Sequence, residues 1–148
     1  MKINFNTLVL LITVSLLGSC VHRSGARIEA STSSLTETRK IISSIIGQPR
    51  TISENGRELT SFYSDDRGLK INDPTKVQTR WYSKVVILGD RRPYELTIDV
   101  NKESKDTNGE YYLERTDEAK SERLAKRIEK ALHQSLDTRN VIDDFRAF

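Results

Sequence analysis

On either side of a Gly89-Asp90-Arg91-Arg92 break large apolar residues fall at every second position or multiples of it, Trp81, Val85 and Ile87 before it and Tyr94, Leu96, Ile98 and Val100 after it. A period of two is the period of a strand, and two such runs around a polar break predict an antiparallel hairpin of residues 77–88 and 93–100. With those four residues as the loop, Leu88 faces Pro93. Ile87 then opposes Tyr94, Val85 opposes Leu96, Ser83 opposes Ile98 and Trp81 opposes Val100. All of these share one face, whereas Arg80, Tyr82, Lys84, Glu95, Thr97 and Asp99 share the other. A one-residue slip mixes the faces, so the pattern demands one buried and one wet side.

A sheet with one apolar face needs a cover, and two helical stretches supply it. Ser34-Leu35-Thr36-Glu37 has the spacing of a capping box. Thr38, Ile41, Ile42, Ile45 and Ile46 follow on one helical face, and Gly47 and Pro49 stop the helix. The first helix is therefore expected over 34–46. The second begins at Thr116 or Asp117 and carries Leu124, Ile128, Ala131, Leu132 and Leu136 as its stripe, with Glu122 and Lys126 paired on its wet side. Val141, Ile142, Phe145 and Phe148 are expected to dock a short tail.

Residues 57–63, after the Asn55-Gly56 turn signal, read as a first strand, and Glu110 to Glu114 as a short last one. Asp65 to Pro74 reads as a polar connection, and Asn101 to Gly109 as a charged loop. The expected fold class is α+β: a two-layer sandwich with an antiparallel sheet of three or four strands, helices on one face, and the order α-β-β-β-(β)-α. At 148 residues this is a single domain, expected over 34–148.

The N-terminus carries a different kind of information. Lys2 is followed by the uninterrupted apolar run Leu8 to Leu17, which is shorter than the roughly 20 residues of a membrane span and fits an export signal. Cys20 is the only cysteine, so no internal disulfide is available. Leu17-Gly18-Ser19-Cys20 resembles the lipobox of bacterial lipoproteins. That resemblance implies cleavage between Ser19 and Cys20 and attachment of lipid to Cys20, so that acyl chains hold the protein to a membrane. The rival is an ordinary secreted chain whose cysteine falls there by chance. Val21, where an aspartate favours the inner membrane, implies the outer membrane facing the periplasm, if the cell has one. Residues 1–19 are then the signal peptide. Residues 20–33, polar and rich in small side chains, read as a tether.

Chemistry-bearing motifs are sparse. The 24 Lys and Arg and 21 Asp and Glu are well mixed, giving a formal charge of +3 with no basic stripe. Nucleic acid is therefore not an expected partner. His22 lies in the tether and His133 on the second helix, and no metal-ligand, nucleophile or phosphate-loop motif is present. No cofactor, metal or catalytic residue is expected. Asp65-Asp66 and Asp143-Asp144 read as solvated acids. Arg91 and Arg92, at the hairpin tip, are the candidate surface contact, suited to lipid phosphate or an acidic partner.

The first helix running into Gly47-x-Pro49, then Gly56-x-Glu58 and the aromatic pair Phe62-Tyr63, together with the lipobox, resembles the BamE or SmpA-like lipoproteins of outer-membrane β-barrel assembly. Three functions stay open. The leading expectation is a non-catalytic envelope lipoprotein, an accessory or assembly subunit that binds another envelope protein. The alternative is a module binding lipid, lipopolysaccharide or peptidoglycan, which calls for a cleft between helices and sheet or for basic clustering. A small hydrolase is the third and calls for converging carboxylates or His133 in a concave site.

Overall fold

The computed structural model describes residues 25–145, in the order β1 (Ala26–Ser31), α1 (Leu35–Ile46), β2 (Thr51–Ile52), β3 (Glu58–Thr60), β4 (Thr79–Leu88), β5 (Tyr94–Lys105), β6 (Tyr111–Thr116) and α2 (Glu118–Phe145). The class is α+β, with one antiparallel sheet of six strands and two helices. The sheet is larger than the three or four strands expected, and the chain opens with a strand rather than a helix. The signal segment, Ser19, Cys20, His22 and Phe148 lie outside the described residues.

The strands run β1-β5-β4-β3-β2 across the sheet, and β6 also pairs with β5. One edge of β5 thus serves two partners in turn. Its first half holds β1 through Ala26↔Ile98 and Ile28↔Leu96, and its second half holds β6 through Asn101↔Thr116 and Lys105↔Tyr111.

The β4–β5 hairpin keeps both predicted faces but shifts their register by two residues. Leu88 pairs with Glu95, Ile87 with Leu96, Val85 with Ile98, Ser83 with Val100 and Trp81 with Lys102. Alternation cannot detect such a shift, because a slip of two returns every side chain to its own face. Six residues, 89–94, therefore lie inside the innermost hairpin pair Leu88–Glu95, the last of them already in β5, and they include a cis Arg92–Pro93 bond. β5 also continues through Lys102, Glu103, Ser104 and Lys105, the stretch expected to be loop. Its charges are matched across the strands: Glu103 meets Arg80 at 2.6 Å and Lys102 meets Glu114 at 2.8 Å. Opposite charges at such positions support a strand that composition alone argues against.

The largest correction is at the start of the domain. Residues 26–31 are a strand of the sheet rather than tether, and Ile28 is buried in the core. Arg27 on the opposite face pairs with Glu95.

One core holds the molecule together. Ile28, Leu59, Trp81, Val85, Ile87, Leu96, Ile98 and Val100 from the sheet join Ile42 of α1 and Leu124, Ala125, Ile128 and Leu132 of α2. α1 is capped as its sequence requires, with the Glu37 backbone N–H donating to Ser34 Oγ at 3.2 Å. The Glu37 carboxylate also accepts from Ser135 Oγ on α2. That bond ties the two helices together. Gly47, at a φ of 80°, ends α1 in the region glycine tolerates best. Asp117 is the cap of α2, accepting from the Lys120 N–H at 2.9 Å, whereas Thr116 donates to Asn101. The backbone of α2 runs on through Phe145 where a separate tail was expected. The docking expected of the Val141, Ile142 and Phe145 side chains lies outside what is described. No described helix is long and apolar enough to cross a membrane.

Candidate functional site

Two surfaces stand out, on opposite sides of the sheet. The first is the face turned away from the helices. Arg80 and Tyr82 project there from β4, beside Tyr63 from the segment after β3 and Tyr111 from β6. The Arg80 guanidinium sits between two rings, 3.9 Å from the Tyr63 centroid and 3.5 Å from that of Tyr111. Its Nε donates to Glu103 Oε2 at 2.6 Å. Tyr63 meets Tyr82 edge to face at 5.9 Å, and Arg50 covers Tyr63 from outside at 4.0 Å. Tyr111 Oη donates across the carbonyls of Val77, at 2.6 Å, and Pro74, at 2.7 Å. Partial burial, with the charge of Glu103 adding to it, raises the pKa of Tyr82 and keeps it a neutral phenol.

Charges on this face are paired in rows: Arg27 with Glu95, Lys84 with Glu58 and Arg80 with Glu103. Leu113 stands exposed at its β6 end. The result is a nearly neutral, tyrosine-rich surface whose side chains are already ordered. The wet face of the hairpin with Tyr82 was legible in the sequence, but Arg50, Tyr63 and Tyr111 come to it from elsewhere in the chain and no local motif marks them.

The second surface is a cleft between α2 and the segment from Ser61 to Lys70, closed at one end by the C-terminus of α1. One part has a volume of about 370 Å³ and is lined by Ile45, Ile46, Phe62 and Leu124 among others. It shares Ser64, Gly68, Ser83, Leu124 and Arg127 with an adjoining part of about 420 Å³ that reaches Trp81 and Lys120. Lys120 Nζ lies 3.6 Å from the Trp81 ring and 2.7 Å from Asp66 Oδ1, which fastens the 65–70 turn to α2. Asp65 is consumed within its own turn, accepting from the Arg67 and Leu69 N–H groups.

The hydrogen bond and positive charge of Lys120 hold the Asp66 carboxyl below the usual aspartate value of 3.8. A lowered carboxylate pKa means that the unfolded chain takes up the proton first, so this tie is present at neutral pH. It is lost as pH falls below that usual value and through the folded one. Acid titration followed by fluorescence of Trp81, the only tryptophan, is expected to show a step in the native chain that Asp66→Asn lacks. An identical profile in both would break the link between Asp66 and the tryptophan.

The residues singled out from sequence do not gather at either surface. Arg91 and Arg92 are exposed in the β4–β5 connection, where Arg92 Nη1 reaches Thr32 O at 3.5 Å. That connection follows Leu88, whereas the cleft is lined by Trp81 and Ser83 in the first half of β4. Asp65 and Asp66 border the cleft, engaged as described. The side chains of Asp143 and Asp144 lie outside the description. His133 is exposed and lines a cavity of about 190 Å³ with Glu129 and Ser31. The Ser31 hydroxyl has no hydrogen-bond partner, so no nucleophile–base pair joins it to His133. Among the described residues no His, Cys, Asp or Glu cluster could hold a metal. Compared with known protein families, with curated proteins and with solved structures, the chain matches none of them.

Proposed function

We propose that this protein is a non-catalytic, lipid-anchored envelope protein that acts as an accessory subunit and docks another envelope protein on the uncovered face of its sheet. The single observation that carries the docking is the ordered Arg50–Tyr63–Tyr82–Arg80–Tyr111 array on a face that no described helix covers. Tyrosine and arginine dominate the energetics of protein interfaces, and unpaired charge is depleted at their centres. Here most of the charges are paired within the chain, Arg50 lies over the Tyr63 ring, and the rings are held before a partner arrives, which lowers the ordering cost of association. The anchor is the lipobox reading of Leu17 to Cys20, and the BamE-like succession from the first helix to Phe62-Tyr63 points the same way.

Site-specific photo-crosslinking in the native host tests this. A photoreactive residue at Tyr82 is expected to capture one protein in stoichiometric yield, and the same residue at Glu122, on the exposed side of α2, is expected not to. Equal capture from both positions, or none from Tyr82, removes the docking face.

A further inference from the structure

We propose that the cleft between α2 and the 61–70 segment binds an anionic amphiphile, an acyl tail beneath a phosphate-bearing head. The tail would rest on Phe62 and Leu124, and the head would lie among Lys70, Arg123 and Arg127. This inference does not rest on the docking reading, although Tyr63 borders both the cleft and the tyrosine array.

Charge is the first argument. Lys70, Arg67, Arg123 and Arg127 border the cleft, and none of them forms an ion pair among the described residues, whereas Asp65 and Asp66 are both already engaged. Unmatched cations beside the apolar side chains of Ile45, Ile46, Phe62 and Leu124, with Ser61, Ser64 and Ser83 between them, are complementary to a ligand with a negative end and a greasy one. On the docking face, by contrast, Arg27, Lys84 and Arg80 each have an acidic partner.

Hydrogen bonding is the second argument, and it favours an acyl chain over a peptide. Much of the backbone of the 61–71 wall is already paired. The Ser61 N–H bonds Ser83 O, the Ser64 N–H and C=O both bond Trp81, and the Ile71 N–H bonds Tyr63 O. Ser61 Oγ accepts from Ser83 N and donates to Phe62 O. A peptide laid here would bury amides without partners, which is costly, whereas an acyl tail has no such need. Phe62 remains 40% exposed, with the Lys70 ammonium 4.0 Å over its ring, so an apolar contact and a cation are presented together.

Trp81 beside the cleft is the reporter. The full chain, held in phosphatidylcholine nanodiscs, is titrated with dioctanoyl phosphatidylglycerol, with dioctanoyl phosphatidylcholine and with glycerol 3-phosphate. Expected is a saturable change in Trp81 fluorescence with the anionic lipid, half-saturation at least tenfold weaker with the zwitterionic one, and no response to glycerol 3-phosphate. Arg123→Gln with Arg127→Gln, both exposed, is expected to weaken the anionic lipid at least tenfold without changing the melting temperature. Phe62→Ser is expected to do the same through the tail. Saturation by glycerol 3-phosphate alone would make this a bare anion site and overturn the proposal. So would equal responses to the two lipids, unchanged binding in both variants, or a flat titration with no lipid adduct in the native mass spectrum.

Discussion

A chain shortened to begin at Ser34 is expected to lose its cooperative unfolding transition, whereas one beginning at Gly25 keeps it. The shorter chain lacks β1, and with it the ladder to β5 and the Ile28 side chain, which is 5% exposed between sheet and α2. Emptying a site of that kind costs about 2–5 kcal/mol by itself. The lost strand adds exposed backbone along the first half of β5 and uncovers part of α2, which packs on β1. Against a total stability of roughly 5–15 kcal/mol, the sum takes most of what holds a domain of this size together. Urea titration followed by circular dichroism checks it. A shortened chain with the same midpoint and slope would show that β1 is an ornament of the sheet.

Leu96→Ala is expected to be the most damaging single truncation, at about 2–5 kcal/mol. Leu96 is fully buried and pairs with Ile28 on one side and Ile87 on the other, so the cavity falls where three strands meet. Leu88→Ala is the matched control. Leu88 is 41% exposed and opposes Glu95, and its loss is expected to stay within about 0.5 kcal/mol. Similar melting temperatures for the two variants would mean that the buried face of the hairpin had been assigned the wrong way round.

The hairpin shows how far the sequence could be read. Side-chain alternation is a local property, so the division into a face holding Val85, Ile87, Leu96 and Ile98 and one holding Arg80, Tyr82 and Lys84 was legible without a structure. The register was not, because two settings separated by two residues give the same faces. The choice rests on the six residues inside the Leu88–Glu95 pair and on cross-strand pairs such as Arg80 with Glu103. α1 was equally legible, since Ser34, Gly47 and Pro49 act within a few residues of the backbone they terminate.

β1 and the end of β5 failed for a shared reason. Ala26 to Ser31 has one large apolar residue, and Lys102 to Lys105 has none, so neither bears the pattern of a strand. Both become strands because β5 offers its edge to each in turn.

The two candidate surfaces follow the same rule. Arg91 and Arg92 were conspicuous as neighbours in sequence, yet they contribute to neither. Arg80 was legible only as one residue of the hairpin's wet face, yet it is clasped between Tyr63 and Tyr111, residues 17 and 31 positions away. Lys70, Arg123 and Arg127 share a cleft only because the 61–70 segment folds against α2. What the sequence alone determined is therefore what short-range chemistry governs: the helix ends, the faces of each regular element and the α+β class. Register, the extra strands and the gathering of tyrosines and arginines into sites were decided by the tertiary structure. They depend on contacts between residues far apart in the chain, and no local pattern encodes the loop closures that bring those residues together.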